Sequence, residues 1–248
     1  MLFDNGIALE RAAFSAWPAL EEQNLAGWRL RYANGYTKRA NSANAVEQID
    51  LLDDQILEQI EAFFRSRQQQ PIFRITDFAV ASQVDEKLIR RGYQFNDLSL
   101  VMTAPVLTDY KDQCDAEVEF LSATEWLQLF QQIAGKIGRG QATHLQMLQS
   151  IRTPAAFAVI RVNKQAACCG LAVISDDYVG LFDIATAEMF RHRGLARRLC
   201  QALISWAAGQ GAQTAYLQVV GHNYSAINLY EQLGFRRAYQ YWYRMGKE

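Results

Sequence analysis

No stretch of this chain approaches the roughly 18 uninterrupted apolar residues that a membrane-spanning helix requires. The first residues, which include Asp4 and Glu10, lack the basic segment that precedes the apolar core of an export signal. These absences predict a cytoplasmic protein that does not engage a membrane. An excess of one charge is also missing: 25 Lys and Arg against 26 Asp and Glu leave a formal net charge of −1. That balance excludes a global attraction to nucleic acid. Cysteine is scarce, with Cys114, Cys168, Cys169 and Cys200. No Cys-x-x-Cys with a companion His suggests zinc, and no carboxylate cluster suggests Mg²⁺, so no metal is expected. Adjacent Cys168 and Cys169 on a strand would face opposite ways, as reduced structural thiols.

Half of the residues are apolar, enough for a substantial core. The most informative stretch is Arg191-His-Arg-Gly-Leu-Ala196, which follows an apolar run ending near Thr186 and opens the helix-patterned segment 197–208. A short loop with one Gly between a strand and a helix leaves several backbone N–H groups unpaired and converging, which makes an anion site. Downstream, the strand-like run 215–220 precedes Asn223-Tyr-Ser-Ala-Ile-Asn-Leu-Tyr-Glu-Gln-Leu-Gly-Phe235.

Thr108–Ala116 is polar and follows Pro105, and reads as a linker between two halves. In the second half, Glu119–Arg139 has helical spacing, with Leu121, Trp126, Leu129, Phe130 and Ile133 as core positions. Ala155–Val162, Ala166–Ser175 and Val179–Thr186 form a strand meander with a turn at Asn163-Lys164. A helix, a strand at 215–220, a helix at 223–232, Gly234-Phe235 and a strand at 239–245 follow. The first half echoes this rhythm: helix 50–67, strand 72–78, helix 84–91, Gly92-Tyr93 and strand 98–102. A degenerate tandem repeat accounts for it, and so would two unrelated α/β halves with a common rhythm.

The loop fits Arg/Gln-x-x-Gly-x-Gly/Ala, and the downstream block resembles Asn-x-x-Ala-x-x-Leu-Tyr-x-x-x-Gly-Phe. In this order and spacing they resemble the GNAT N-acetyltransferase superfamily over roughly residues 116–248. The resemblance implies a mixed, mostly antiparallel α/β (α+β) sheet flanked by helices. Its domains would be a degenerate GNAT-like unit at 1–107 and an acetyltransferase unit at 116–248. The cosubstrate implied is acetyl-CoA, its pyrophosphate held by backbone N–H groups of Arg191, His192, Arg193, Gly194, Leu195 and Ala196 and by the helix start at Arg197. Arg193, Arg197 and Arg198 would reach phosphate oxygens, although a solvated first turn also explains them. Ile184, Ala185 and Thr186 would lie on the strand whose backbone pairs with the pantetheine arm. Two strands diverging beside Ile184–Thr186 and Leu217–Val219 would open the slot.

For the chemistry, Tyr230 lies two turns after Asn223 on one helix face, as the signature requires, and is the acid for the departing thiolate. Asn223 would cap that helix and also bond the pantetheine amide, with Ala226 beside the cofactor; capping alone would explain an Asn there. Relatives commonly carry Glu where this chain has Val220, so the base is open among Asp183, His222 and Glu188. Asp183, on the cofactor strand, is the first choice. The activity implied is transfer of an acetyl group to a primary amine, of a small molecule or a protein, by direct attack in a ternary complex. A non-catalytic acyl-CoA-binding sensor or scaffold is the alternative. The expected assembly is a monomer or homodimer. The first half has no phosphate loop. Its polar cluster Tyr36, Arg39, Asn41 and Ser42 falls where the copy's cofactor loop would be expected, completing the acceptor cleft or forming a solvated turn.

Overall fold

A computed structural model of the chain describes residues 2–106, 118–135 and 140–247. The linker reading at 108–116 and Cys114 therefore lie outside the described residues. Helix α1 (Leu2–Ala16) leads into β1 (Glu21–Leu25), β2 (Trp28–Tyr32) and the short β3 (Ala43–Ala45). Then come α2 (Asp54–Arg65), β4 (Ile72–Thr76), α3 (Ser82–Arg90) and β5 (Gln94–Pro105). The second half runs β6 (Val118–Leu121), α4 (Ala123–Ala134), α5 (Gln141–Gln149), β7 (Ala155–Val162), β8 (Gln165–Ser175) and β9 (Tyr178–Thr186). It closes with α6 (Leu195–Gly209), β10 (Thr214–Val220), α7 (Tyr224–Gln232) and β11 (Arg236–Met245).

The described strands form a single open sheet in the order β1-β2-β3-β4-β11-β5-β10-β9-β8-β7-β6. Most neighbours are antiparallel, and the named strands pair in parallel at β3/β4 and β9/β10. The unit β3-α2-β4-α3-β5 recurs as β9-α6-β10-α7-β11. In both copies the second helix ends at a left-handed glycine, Gly92 (φ 92°) and Gly234 (φ 90°). The repeat legible in the sequence is thus a structural one. The copies exchange their last strands: β11 lies between β4 and β5, while β5 lies against β10. Each half's final strand therefore bonds to the other's sheet.

Two expectations are corrected. Residues 118–121 are not the start of a helix but β6, paired antiparallel to β7 from Val118↔Ile160 to Leu121↔Phe157. Helix α4 starts only after Ser122, whose side chain accepts from Glu125 N while Glu125 reaches back to Ser122, a capping box that fixes the boundary. The copy's counterpart of the 191–196 loop is not Tyr36–Ser42. It is the segment between β3 and α2, residues 46–53, because three residues of strand intervene after Ser42.

Helix α6 packs on one face of the sheet, with Cys168, Leu199, Cys200 and Leu203 in that core. Helices α1 and α4 pack on the opposite face, around Trp17, Trp126, Phe130 and Cys169. Cys168 and Cys169 do face opposite ways, and both are buried and unpaired. Burial pushes the Cys168 thiol up to about 11, so it is a protonated packing group at neutral pH.

Strands β9 and β10 are held close at one end because Gly180 has no side chain opposite Tyr216. A Cβ there would lie 2.5 Å from the Phe182 ring and 2.5 Å from the Tyr216 hydroxyl, both buried aromatics with no room to shift. Gly180→Ala is expected to lower unfolding stability by about 1–3 kcal/mol, an overpacking cost readable by urea denaturation. An unchanged midpoint would show that β9 and β10 yield at this end.

Candidate active site

The parallel pairing of β9 with β10 covers Tyr178–Leu181 against Thr214–Leu217 and then stops. Beyond it β9 follows β8 to Thr186, paired with Cys168, while β10 follows β5 to Val220, paired with Ser99. The strands part into a wedge. Ile184, Ala185 and Thr186 line it from one side and Gln218, Val219 and Val220 from the other. The side of β9 facing β10 has lost its strand partner along 182–186, so its backbone is open to another extended chain.

The parting coincides with a bulge. Between Cys169↔Ala185 and Leu171↔Phe182 the register shifts, setting Asp183 and Ile184 against the single residue Gly170. Asp183 takes a left-handed backbone, φ 49°, uncommon for a non-glycine residue and best tolerated by Asp and Asn. Its carboxylate is part-buried. Oδ2 lies 3.1 Å from Nε2 of the buried His144, without the alignment of a hydrogen bond. On the far side of the ring, Tyr36 Oη lies 2.7 Å from His144 Nδ1. With the proton on Nε2 facing the carboxylate, Nδ1 accepts from the Tyr36 hydroxyl. Trp17, Tyr36, Trp126 and Phe130 surround the imidazole and fix its plane.

The loop at 191–196 lies at the open end of the wedge. After a 3-10 turn at Glu188–Phe190, His192 (φ 60°) and Gly194 (φ 73°) are left-handed, and Gly194 stands at the N-terminus of α6 with no side-chain cap. None of the N–H groups of residues 192–197 donates a hydrogen bond among the described residues. The first bond of the helix is Arg198 N to Gly194 O, 3.2 Å. A Cβ on Gly194 would meet nothing within 4 Å, so the loop surface is open. Converging free N–H groups, the positive end of a 15-residue helix and exposed Arg191 and Arg193 fit a pyrophosphate. Arg197 differs from expectation in its side chain, which bonds Gln232 on α7 and leaves its backbone N–H to the loop. The degenerate copy is closed at the equivalent point. Asp53 caps α2, its carboxylate accepting from Ile56 N at 2.7 Å, so a built-in anion already sits at that helix end.

Asn223 caps α7, accepting from Ala226 N at 3.3 Å. Two turns on, Tyr230 is buried against Phe235 and the α6 core, and its hydroxyl has no hydrogen-bond partner among the described residues. Burial holds the phenol well above its usual range. His222 and Glu188 are exposed, and among the described residues neither makes an ion pair or hydrogen bond with Asp183. The sequence reading missed His144. It lies on α5, a helix with little amphipathic signal, and its partners are 39 and 108 positions away.

Among the described residues no group of three or more His, Cys, Asp or Glu is placed to hold a metal, and no helix is long and apolar enough to cross a membrane. A family model described as "Probable histone acetyltransferase Rv0428c C-terminal" matches residues 7–244. The chain is 26% identical to "Uncharacterized N-acetyltransferase YobR" of Bacillus subtilis (strain 168), over 96% of this chain and 97% of that protein. It is 32% identical to "Probable histone acetyltransferase Rv0428c" of Mycobacterium tuberculosis (strain ATCC 25618 / H37Rv), over 92% of this chain and 70% of that one. Its fold is similar to that of a GCN5-related N-acetyltransferase from Kribbella flavida, with a TM-score of 0.74 at 13% identity, covering 98% of this chain and 95% of that one. With the sheet wedge, the uncapped α6 loop and a family match across nearly the whole length, the chain belongs to the Rv0428c C-terminal acetyltransferase family of the GNAT superfamily, built from two tandem GNAT-like halves.

Proposed function

We propose that this protein is an acetyl-CoA-dependent N-acetyltransferase that acts on a primary amine by direct attack in a ternary complex. The observation that carries the reading is the parting of β9 from β10 directly before the uncapped N-terminus of α6. Acetyl-CoA, when bound, supplies an acetyl group activated as a thioester. The free N–H groups at 192–197 would hold its pyrophosphate, and the unpaired edge of β9 at Ile184–Thr186 would hold the extended arm. A free N–H on that edge would also donate to the thioester carbonyl oxygen, an interaction that strengthens as negative charge develops there.

The remaining steps are proton transfers by this chain's own groups. An alkyl ammonium, with a pKa around 10, must lose a proton before its nitrogen can attack. Asp183 would accept it at the inner end of the wedge, with His144 and Tyr36 holding the carboxylate in place. As the C–N bond forms and the C–S bond breaks, the Tyr230 hydroxyl gives its proton to the sulfur, and the proton shed by the new amide nitrogen returns to the Tyr230 oxygen through water, so that a neutral amide and a thiol leave. The raised pKa of Tyr230 keeps it protonated throughout the working range. We place the two units at 1–107 and 116–248, with the site in the second and the first completing its acceptor side. The compartment proposed is the cytoplasm.

One CoA is expected per chain, because Asp53 already occupies the helix end in the first half. Gly194→Glu adds a side chain and a like charge at the phosphate position and should weaken CoA binding at least tenfold, by roughly 1.4 kcal/mol or more. Titration calorimetry tests both points. Two equivalent sites, or unchanged affinity in the variant, would refute the assignment. Thiol release from acetyl-CoA with a panel of amines then separates an enzyme from a binder.

A further inference from the structure

Three arginines of the first half converge on a narrow cavity beneath the wedge, lined also by Glu10, Asn44 and Gln218. Two of them are paired with carboxylates. Arg31 donates to Glu22 at 2.8 Å and to the carbonyls of Trp17 and Arg39. Arg74 makes a two-pronged pair with Glu10, which also accepts from Tyr239. Glu10 and Glu22 are thereby committed to Arg74 and Arg31.

Arg39 is the third. It comes from a 3-10 turn (Lys38–Ala40) of the first half and reaches across to the second, where Nη2 lies 3.4 Å from the carbonyl oxygen of Gln218, on β10 just beyond the parting point. Tyr241 lies beside it, its own hydroxyl donating to Gln218 Oε1 at 2.9 Å. No carboxylate comes within 4.0 Å of the Arg39 guanidinium among the described residues, and the residue as a whole is half-buried. Burial opposes its charge, the neighbouring Tyr241 and Tyr243 favour it, and Asp183 adds to them without an ion pair. The backbone of the turn that carries Arg39 is held in place. Arg31 grips its carbonyl at 2.8 Å, Asn41 Oδ1 accepts from Ala33 N and Gly35 N, and Ser42 Oγ donates to Lys38 O.

A guanidinium without a carboxylate partner on the Gln218 wall of the wedge, with the Asp183 carboxylate on the strand opposite, is complementary to a zwitterion. Arginine's planar fork matches a carboxylate in two-pronged fashion. We infer that Arg39 is the carboxylate-binding residue of the acceptor site, and that the acceptor is a small amino-carboxylate, its ammonium directed to Asp183 and its carboxylate to Arg39. This rests on the proposal that the Asp183 end of the wedge receives the amine.

The test is calorimetry on the full chain, with and without saturating CoA. Alanine, phenylalanine and lysine are paired with their decarboxylated counterparts ethylamine, phenethylamine and cadaverine. At least one amino acid is expected to bind ten times or more tightly than its decarboxylated partner. Arg39→Gln should abolish that difference, Arg39→Lys should restore part of it, and both should bind CoA as the parent does. Equal binding of both members of every pair, no binding by any of the six, or an undiminished preference in Arg39→Gln would overturn the inference. Failure of the N-acetyltransferase reading looks different: CoA itself would not bind, or no amine would release its thiol, whatever the preference at Arg39.

Discussion

Asp183→Asn is expected to lower kcat for amine acetylation by about 10²- to 10³-fold, the range of a lost general base, with CoA affinity unchanged. The substitution is well matched to the site. Asn is one of the few residues that accepts the left-handed backbone seen at φ 49°, so the bulge that parts β9 from β10 should survive. Asn also keeps a polar oxygen opposite His144 Nε2, so the buried imidazole keeps a hydrogen-bond acceptor as its neighbour. What is lost is the charge that receives the amine's proton. The remaining activity should rise with pH toward the amine's own pKa, because only the fraction already neutral can then react. Stopped-time assays of thiol release from pH 6 to pH 9.5 measure this. A variant within threefold of the parent, with an unaltered pH profile, would move the base to another group.

The meander β7–β9, the loop at 191–196 and α7 are legible in the sequence because each has a local cause. A nearly unbroken apolar run at 155–162, one glycine between a strand and a helix, and an asparagine three residues before the N–H it caps all act within a few residues. The features that were not legible have distant causes. Strand β3 is three small residues whose partners are β2 and β4, and nothing in Ala43–Ala45 has a period to detect. In β6 the apolar spacing runs on into α4, and only the capping box at Ser122 marks where the strand stops. The exchange of β5 and β11 depends on edge pairing between residues more than a hundred positions apart, such as Thr214↔Pro105 and Met245↔Gln94.

The same distinction separates the parts of the site. Gly194 and Asn223 carry a local signal, whereas His144 acquires its place only when α5 is laid against Tyr36 from one half and Asp183 from the other. Arg39 stands between these cases. Its cluster is visible as polar residues in the first half, and its target, a β10 carbonyl 179 positions away, is not.

Tyr230→Phe should cost about 10²-fold in kcat with little change in CoA affinity. Removing one hydroxyl leaves the ring packed against Phe235, so α7 and the core beneath it should keep their shape. The hydroxyl has no hydrogen-bond partner among the described residues, so its loss orphans no protein group and stability should hold. The pH dependence makes the assignment specific. Burial raises the Tyr230 pKa, so the neutral, proton-donating form is present at every pH from 6 to 9.5 and the phenol adds no limb to the profile. The loss in the Phe variant should therefore be uniform across that range, in contrast to the pH-dependent loss expected for Asp183→Asn. Thioesters with a more acidic leaving thiol should shrink it, since a thiolate that departs readily needs less help from an acid. A kcat near the parent value, or a loss that does not respond to the leaving thiol, would mean that water protonates the sulfur and that Tyr230 serves only to pack α7 on α6.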